Sequence, residues 1–129
     1  MVKRNNPNFA WSPKDFEFFV RRGRAARGLS DSMHYQLALA DFKKVLELLP
    51  NNTAILLDIG QTQSYLKDYA GAHETFAKRL AADTTSLSTV NVYYYDGYAL
   101  YQLQRFAEAA ADLEKALVLK SDFGQARNL

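Results

Sequence analysis

Apolar side chains recur at three- and four-residue spacing along most of this chain, the period that places them on one face of an α-helix. One such run is Ala38, Phe42, Val45, Leu46 and Leu49, and the next is Leu56, Ile59, Gln63 and Leu66. Between them, Pro50-Asn51-Asn52 closes one helix and opens another. Proline disfavours helical geometry in the residue before it and has no N–H for the preceding turn. Lys67-Asp68-Tyr69 and Gln104-Arg105-Phe106 predict tighter turns. The pattern therefore predicts an all-α chain built from pairs of amphipathic helices.

The pairs repeat. Tyr35, Tyr69 and Phe106 lie 34 and then 37 residues apart, and the same offsets relate Ala38, Ala72 and Ala109, then Phe42, Phe76 and Leu113, then Leu46, Leu80 and Leu117. They also align Ala26 with Gly60 and Gly97, which predicts small residues where the two helices of a unit approach closely. The three additional residues of the second interval fit the polar stretch 83–89, where a loop absorbs an insertion at little entropic cost.

This periodicity resembles the tetratricopeptide repeat family, whose 34-residue unit places a large residue, Leu-Gly, an aromatic, Ala, an aromatic and Pro at set intervals. The middle unit carries the likeness in Leu56, Ile59-Gly60, Tyr69, Ala72, Phe76 and Leu80. The resemblance implies an α-solenoid of three helix-turn-helix repeats: residues 13–50, 51–86 and 87–121, after an N-terminal arm at 1–12. Residues 122–129 would begin a partial capping helix or a fourth repeat. Ser12 is the expected cap of the first helix, with Pro13 in its first turn and Trp11 stapling onto Phe16. Four residues depart from the pattern. Arg79 replaces a small residue, Thr84 and Ser121 replace the closing proline, and Asp96 replaces the leucine before Gly97. A carboxylate between packed helices needs partners or a shifted pKa.

Composition changes this picture little. A 129-residue chain with 48% apolar residues can bury a core, and the absence of cysteine removes disulfides, thiol nucleophiles and thiolate metal sites together. The N-terminus lacks the apolar run of a secretory signal and no segment is apolar enough to insert in a membrane, so a cytoplasmic or nuclear protein is expected. Residues 1–27 hold seven Lys and Arg against two acidic residues, a balance of +5 that leaves −3 for the rest. A basic face of this kind is a solvated helix surface or an attractor of acidic partners. His34 and His73 sit in separate units with no ligand at metal spacing on their own helices, and Ser30 and Ser64 lack a base. No metal, cofactor or enzymatic activity is expected.

The stretch NVYYYDGYALYQ, 91–102, holds five tyrosines. In the solenoid that the resemblance implies, the first helix of each unit lines the concave face. Tyr93, Gly97 and Leu100 then form the packing side, while Tyr94, Tyr98 and Tyr101 follow i, i+4, i+7 spacing and project into the groove. The same offsets carry that stripe to Leu57, Gln61 and Ser64, and to Gly23, Arg27 and Ser30; a further column runs Val20, Ala54 and Asn91. The expected groove residues are thus Arg27, Leu57, Gln61, Ser64, Asn91, Tyr94, Tyr98 and Tyr101, and the expected partner is a protein or peptide. The alternative use of the rings is packing, on a following unit or on the chain's own arm. Relatives that clamp the carboxylate of chaperone C-terminal tails share a set of Lys, Asn and Arg groove residues. Here those places hold Gly23, Arg27, Asp58, Asn91 and Tyr95, which argues against a chaperone tail. Nucleic-acid binding through Arg21, Arg22, Arg24 and Arg27 is a weaker alternative, because the rings and the basic cluster lie in different units. Homo-oligomerisation through an apolar C-terminal face is another.

Overall fold

The computed structural model describes residues 15–127, with side chains through residue 121; that span is helical, and no strand occurs among the described residues. The helices α1 (Phe16–Arg27) and α2 (Ser32–Leu48), α3 (Ile55–Tyr65) and α4 (Tyr69–Ala82), and α5 (Leu87–Gln102) and α6 (Phe106–Arg127) make three consecutive pairs. Each packs on its sequence neighbours, and α3 also touches α5, so the first helices of the second and third units lie side by side. The expected cap at Ser12 and the Trp11 staple lie outside the described residues.

Local chemistry sets the helix ends. Asp31 caps α2 by accepting from the His34 N–H at 2.9 Å, and Asp68 caps α4 by accepting from the Gly71 N–H at 3.1 Å. At the other ends, α3 and α5 close in the same way. Lys67 and Gln104 take positive φ, 64° and 62°, and the next N–H in each case reaches back five residues, Asp68 to the Gln63 carbonyl and Arg105 to the Leu100 carbonyl. These are the tight turns expected within units. Leu49, before Pro50, leaves the helical region and ends α2.

Of the repeat columns, Ala38, Phe42, Gly60, Ala72, Phe76, Gly97 and Ala109 are buried. Phe19, Ala38, Phe42, Val45, Ile55, Leu56 and Ile59 form one cluster across α1, α2 and α3. Ala72, Phe76, Val92 and Ala99 form the next across α4 and α5, with Leu57, Tyr69, Leu80 and Tyr95 packed against it. Phe42 and Phe76 are fully buried.

Packing corrects the register of the first unit. A Cβ added to Gly23, Gly60 or Gly97 would collide with Phe42, Phe76 or Leu113 respectively, so these glycines are the equivalent close-approach positions, 37 residues apart each time. Ala26, expected in that column, is only partly buried. The second helices keep intervals of 34 and 37, so the first unit holds three extra residues between its helices. The connection 28–31 and an earlier start of α2 take them up. Three residues turn a helix by about 300°, which moves a different side chain onto each neighbour. Gly23 is therefore buried rather than facing a groove, and Ser30 lies in the turn with φ 57°. The extra residues of the second interval do fall between α4 and α5.

Arg79, the unexpected large residue on α4, is buried, and its guanidinium donates to the Asp83 carbonyl at 3.0 Å and to Ser88 Oγ at 2.8 Å. It anchors the connection that the insertion lengthens. Asp83 in turn accepts from the Thr85 N–H at 2.8 Å and the Ser86 N–H at 3.3 Å. The Ser86 hydroxyl first, and these N–H groups with it, hold the Asp83 carboxyl down at about 2. No turn separates residues 121 and 122. Ser121 imposes none of the restraint of a closing proline, and α6 continues to Arg127.

Candidate functional site

The arginines of α1 are not a free cationic stripe. Arg22 donates to both carboxylate oxygens of Asp41 on α2, at 2.8 and 2.7 Å. Arg24 and Arg27 converge on Asp58 of α3, at 3.3 and 2.9 Å, and Arg27 also donates to Oε1 of Gln61 at 3.3 Å. These contacts fasten the first unit to the second. Two cations around one mostly buried carboxylate leave a net positive charge there, on the half-exposed Arg24.

On α5 the tyrosines divide as the helical spacing predicts. Tyr93 is 9% exposed, whereas Tyr94, Tyr98 and Tyr101 are 58%, 47% and 58% exposed. Tyr95 stacks on Phe76 and meets Tyr94 edge-on at 5.7 Å between ring centres. Tyr98 meets Tyr69 of α4 edge-on at 6.0 Å. Partial burial, and then a hydrogen bond with the Tyr98 hydroxyl, push the Tyr69 phenol above its usual range. Tyr101 stands apart and packs edge-on against Phe106 at 5.4 Å.

A pocket of about 420 Å³ opens between α3, the α3–α4 turn and α5, lined by Gln61, Ser64, Tyr65, Lys67, Tyr69, Tyr94, Tyr95 and Tyr98. Four of the expected groove residues thus come together: Gln61, Ser64, Tyr94 and Tyr98. The others do not. Leu57 packs on the second core cluster, Arg27 is held by Asp58, Asn91 is exposed nearer the start of α5, and Tyr101 lines no part of this pocket. Tyr65, Lys67, Tyr69 and Tyr95 were not expected here. Tyr69 carries the repeat pattern and Lys67 the turn, and only the placement of α3 beside α5 turns them towards a shared space. The Ser64 hydroxyl is buried and has no hydrogen-bond partner. A second pocket, about 490 Å³, lies between the α4–α5 connection and α6 and contains none of the expected groove residues.

Behind the tyrosine face lies a polar cluster that links three helices. Asp96, 3% exposed, approaches Nδ1 of His73 on α4 to 2.6 Å and bonds the carboxyl of Asp112 on α6. Burial raises the Asp96 carboxyl above its usual range and pushes Asp112 up to about 7, assisted by its neighbour's charge and hydrogen bond. As an anion Asp112 would leave its buried Oδ2 without a donor; as an acid it supplies one to Asp96. The departure at Asp96 is thus met by partners and by a shifted pKa.

Comparison with known proteins supports the architecture. No protein-family model matches the chain. The human Protein SGT1 homolog is 38% identical over 66 residues, which are 51% of this chain, and the chain spans 17% of that protein's length. Among solved structures, the Arabidopsis OM64 TPR domain superposes with a TM-score of 0.75 at 24% identity, covering 85% of this chain and 86% of that one. MamA protein superposes with a TM-score of 0.73 at 27% identity, over 88% of this chain and 58% of its own. Three helix pairs, the recurrent close approach of a first-helix glycine to the second helix and these superpositions together give the chain the fold of a tetratricopeptide-repeat solenoid.

Proposed function

We propose that the chain is a non-enzymatic protein-interaction module that holds a segment of a partner protein along the face formed by α3 and α5. The observation that carries this reading is the exposure of Tyr94 and Tyr98 beside a concave pocket, on a helix whose other side is fully packed. Phenol rings present large contact area with only two torsions to freeze, and a hydroxyl for hydrogen bonding. Burying two of them supplies a few kcal/mol, on the order of micromolar affinity after association entropy is subtracted. Asp58 and Gln61 already engage Arg27, the residue placed to meet the carboxylate of a chaperone tail, which disfavours that partner. The pairing of Arg22, Arg24 and Arg27 with Asp41 and Asp58 likewise disfavours a nucleic-acid phosphate track. Selection of a random peptide display library on the immobilised protein tests the reading. Enriched sequences should converge on a shared motif and compete with one another. Failure to converge, with retention of nucleic acid that falls steeply with salt, would overturn it.

A second reading rests on α6. Leu46 and Leu80 are partly buried where the following unit packs, but their equivalent Leu117 is 69% exposed, with Val118 beside it. Dimerisation through this face would cover them. Sedimentation of the wild-type protein and of Leu117→Asp checks this: a dimer that the substitution converts to monomer supports it, and a wild-type monomer at high concentration removes it.

No helix among the described residues is long and apolar enough to cross a membrane.

A further inference from the structure

From the pocket at the α3–α4 turn we infer that the partner segment inserts one aromatic side chain with a polar tip, a tyrosine or tryptophan, in an acidic context. The inference rests on the groove reading above and specifies its ligand. Five rings line the pocket, from Tyr65, Tyr69, Tyr94, Tyr95 and Tyr98, and neighbouring rings within it already meet edge-on, at 5.7 and 6.0 Å. An incoming ring continues that arrangement, which is the favoured geometry for aromatic quadrupoles. About 420 Å³ admits one large side chain and part of its backbone.

Two alternatives fit less well. A cation is a usual guest of an aromatic cage, but no carboxylate lines this pocket and Lys67 does, so a partner Lys or Arg would meet like charge. An aliphatic side chain would fill the space without the edge-on contacts that a ring makes with these tyrosines. A phenol or indole offers a ring for these contacts and a polar tip that the phenol hydroxyls lining the pocket can meet. Gln61 accepts from Arg27 through its oxygen, and that bond leaves its amide N–H groups to donate to the partner backbone. The acidic context follows from Lys67 at the pocket and from Arg24, which shares Asp58 with Arg27. Of the acidic residues on α3 and α5, Asp58 is engaged by these arginines and Asp96 is buried on the far side, while the exposed Asp68 beside Lys67 caps α4 by accepting from the Gly71 N–H.

The test is a nuclear magnetic resonance titration of the full chain with five nonapeptides of Glu, Ser and Gly that differ only in a central Trp, Tyr, Leu, Arg or Ala. The Trp and Tyr peptides should shift the amide signals of Ser64, Tyr95 and Tyr98, and bind roughly ten-fold more tightly than the Leu peptide, with Arg and Ala weakest. Equal binding of the Leu or Arg peptide at the same signals would overturn the aromatic selectivity and leave the groove reading standing. Absence of shifts with all five would also overturn the inference, and the display selection would then decide the groove reading by itself. Shifts confined to residues away from α3 and α5 would overturn both.

Discussion

Nδ1 of His73 lies 2.6 Å from Oδ1 of Asp96, a contact that ties α4 to α5 and, through Asp112, to α6. Because the Asp112 carboxyl is raised to about 7, the folded protein holds a proton that the unfolded chain releases near pH 4. A folded state that binds the extra proton is most stabilised below the unfolded pKa, and that contribution is lost as pH rises through 7. Lys115 and His73 oppose the shift, so the fall is moderated but not reversed. Melting curves of wild type and Asp112→Asn between pH 5.5 and 8.5 should diverge, the wild type losing stability towards alkaline pH relative to the variant. Parallel curves would show that Asp112 is an ordinary ionised carboxylate.

Gly60 faces the fully buried ring of Phe76 with no room for a Cβ, whereas Gly28 sits in helical conformation with only ordinary contacts around its Cβ position. Gly60→Ala should therefore cost about 1–2 kcal/mol net, the overpacking exceeding the gain in helix propensity. Gly28→Ala should stabilise by about 0.4–1 kcal/mol through the unfolded chain. Urea unfolding of the two variants checks the pair, and the opposite order would contradict the packing described here.

Asp58 is the counterion of both Arg24 and Arg27. Its replacement by Ala leaves two guanidinium groups without a counterion at the α1–α3 junction, Arg27 keeping only its bond to Gln61, and should destabilise by about 1–3 kcal/mol. The same change adds positive charge to the groove, so retention on a polyanion column should rise to higher salt. Unchanged stability would mean that the pair is a surface contact of little weight.

The architecture was legible in the sequence because it depends on apolar spacing, which a linear chain displays directly. The division of α5 into Tyr93 on the packed side and Tyr94 and Tyr98 on the open side followed from the same period. The register of the first unit did not. Three residues inserted before α2 leave the second-helix columns aligned but rotate the first helix, and both Ala26 and Gly23 are small enough to fit the column. Nor did the pairing of Arg27 with Asp58, or of His73 with Asp96, show itself, since each joins residues from different helices. The pocket combines a turn lysine with rings from three helices, and no spacing rule within one helix brings those together.

The proposal that the phenols of α5 recognise a partner is tested most directly by Tyr94→Ala combined with Tyr98→Ala, measured for affinity and for unfolding on the same protein. Both rings are about half exposed, so the account predicts at least a ten-fold loss of affinity for a display-selected peptide, with unfolding free energy changed by less than about 1 kcal/mol. Unchanged affinity, or a loss of stability of about 3 kcal/mol or more as expected for buried aromatic residues, would contradict it.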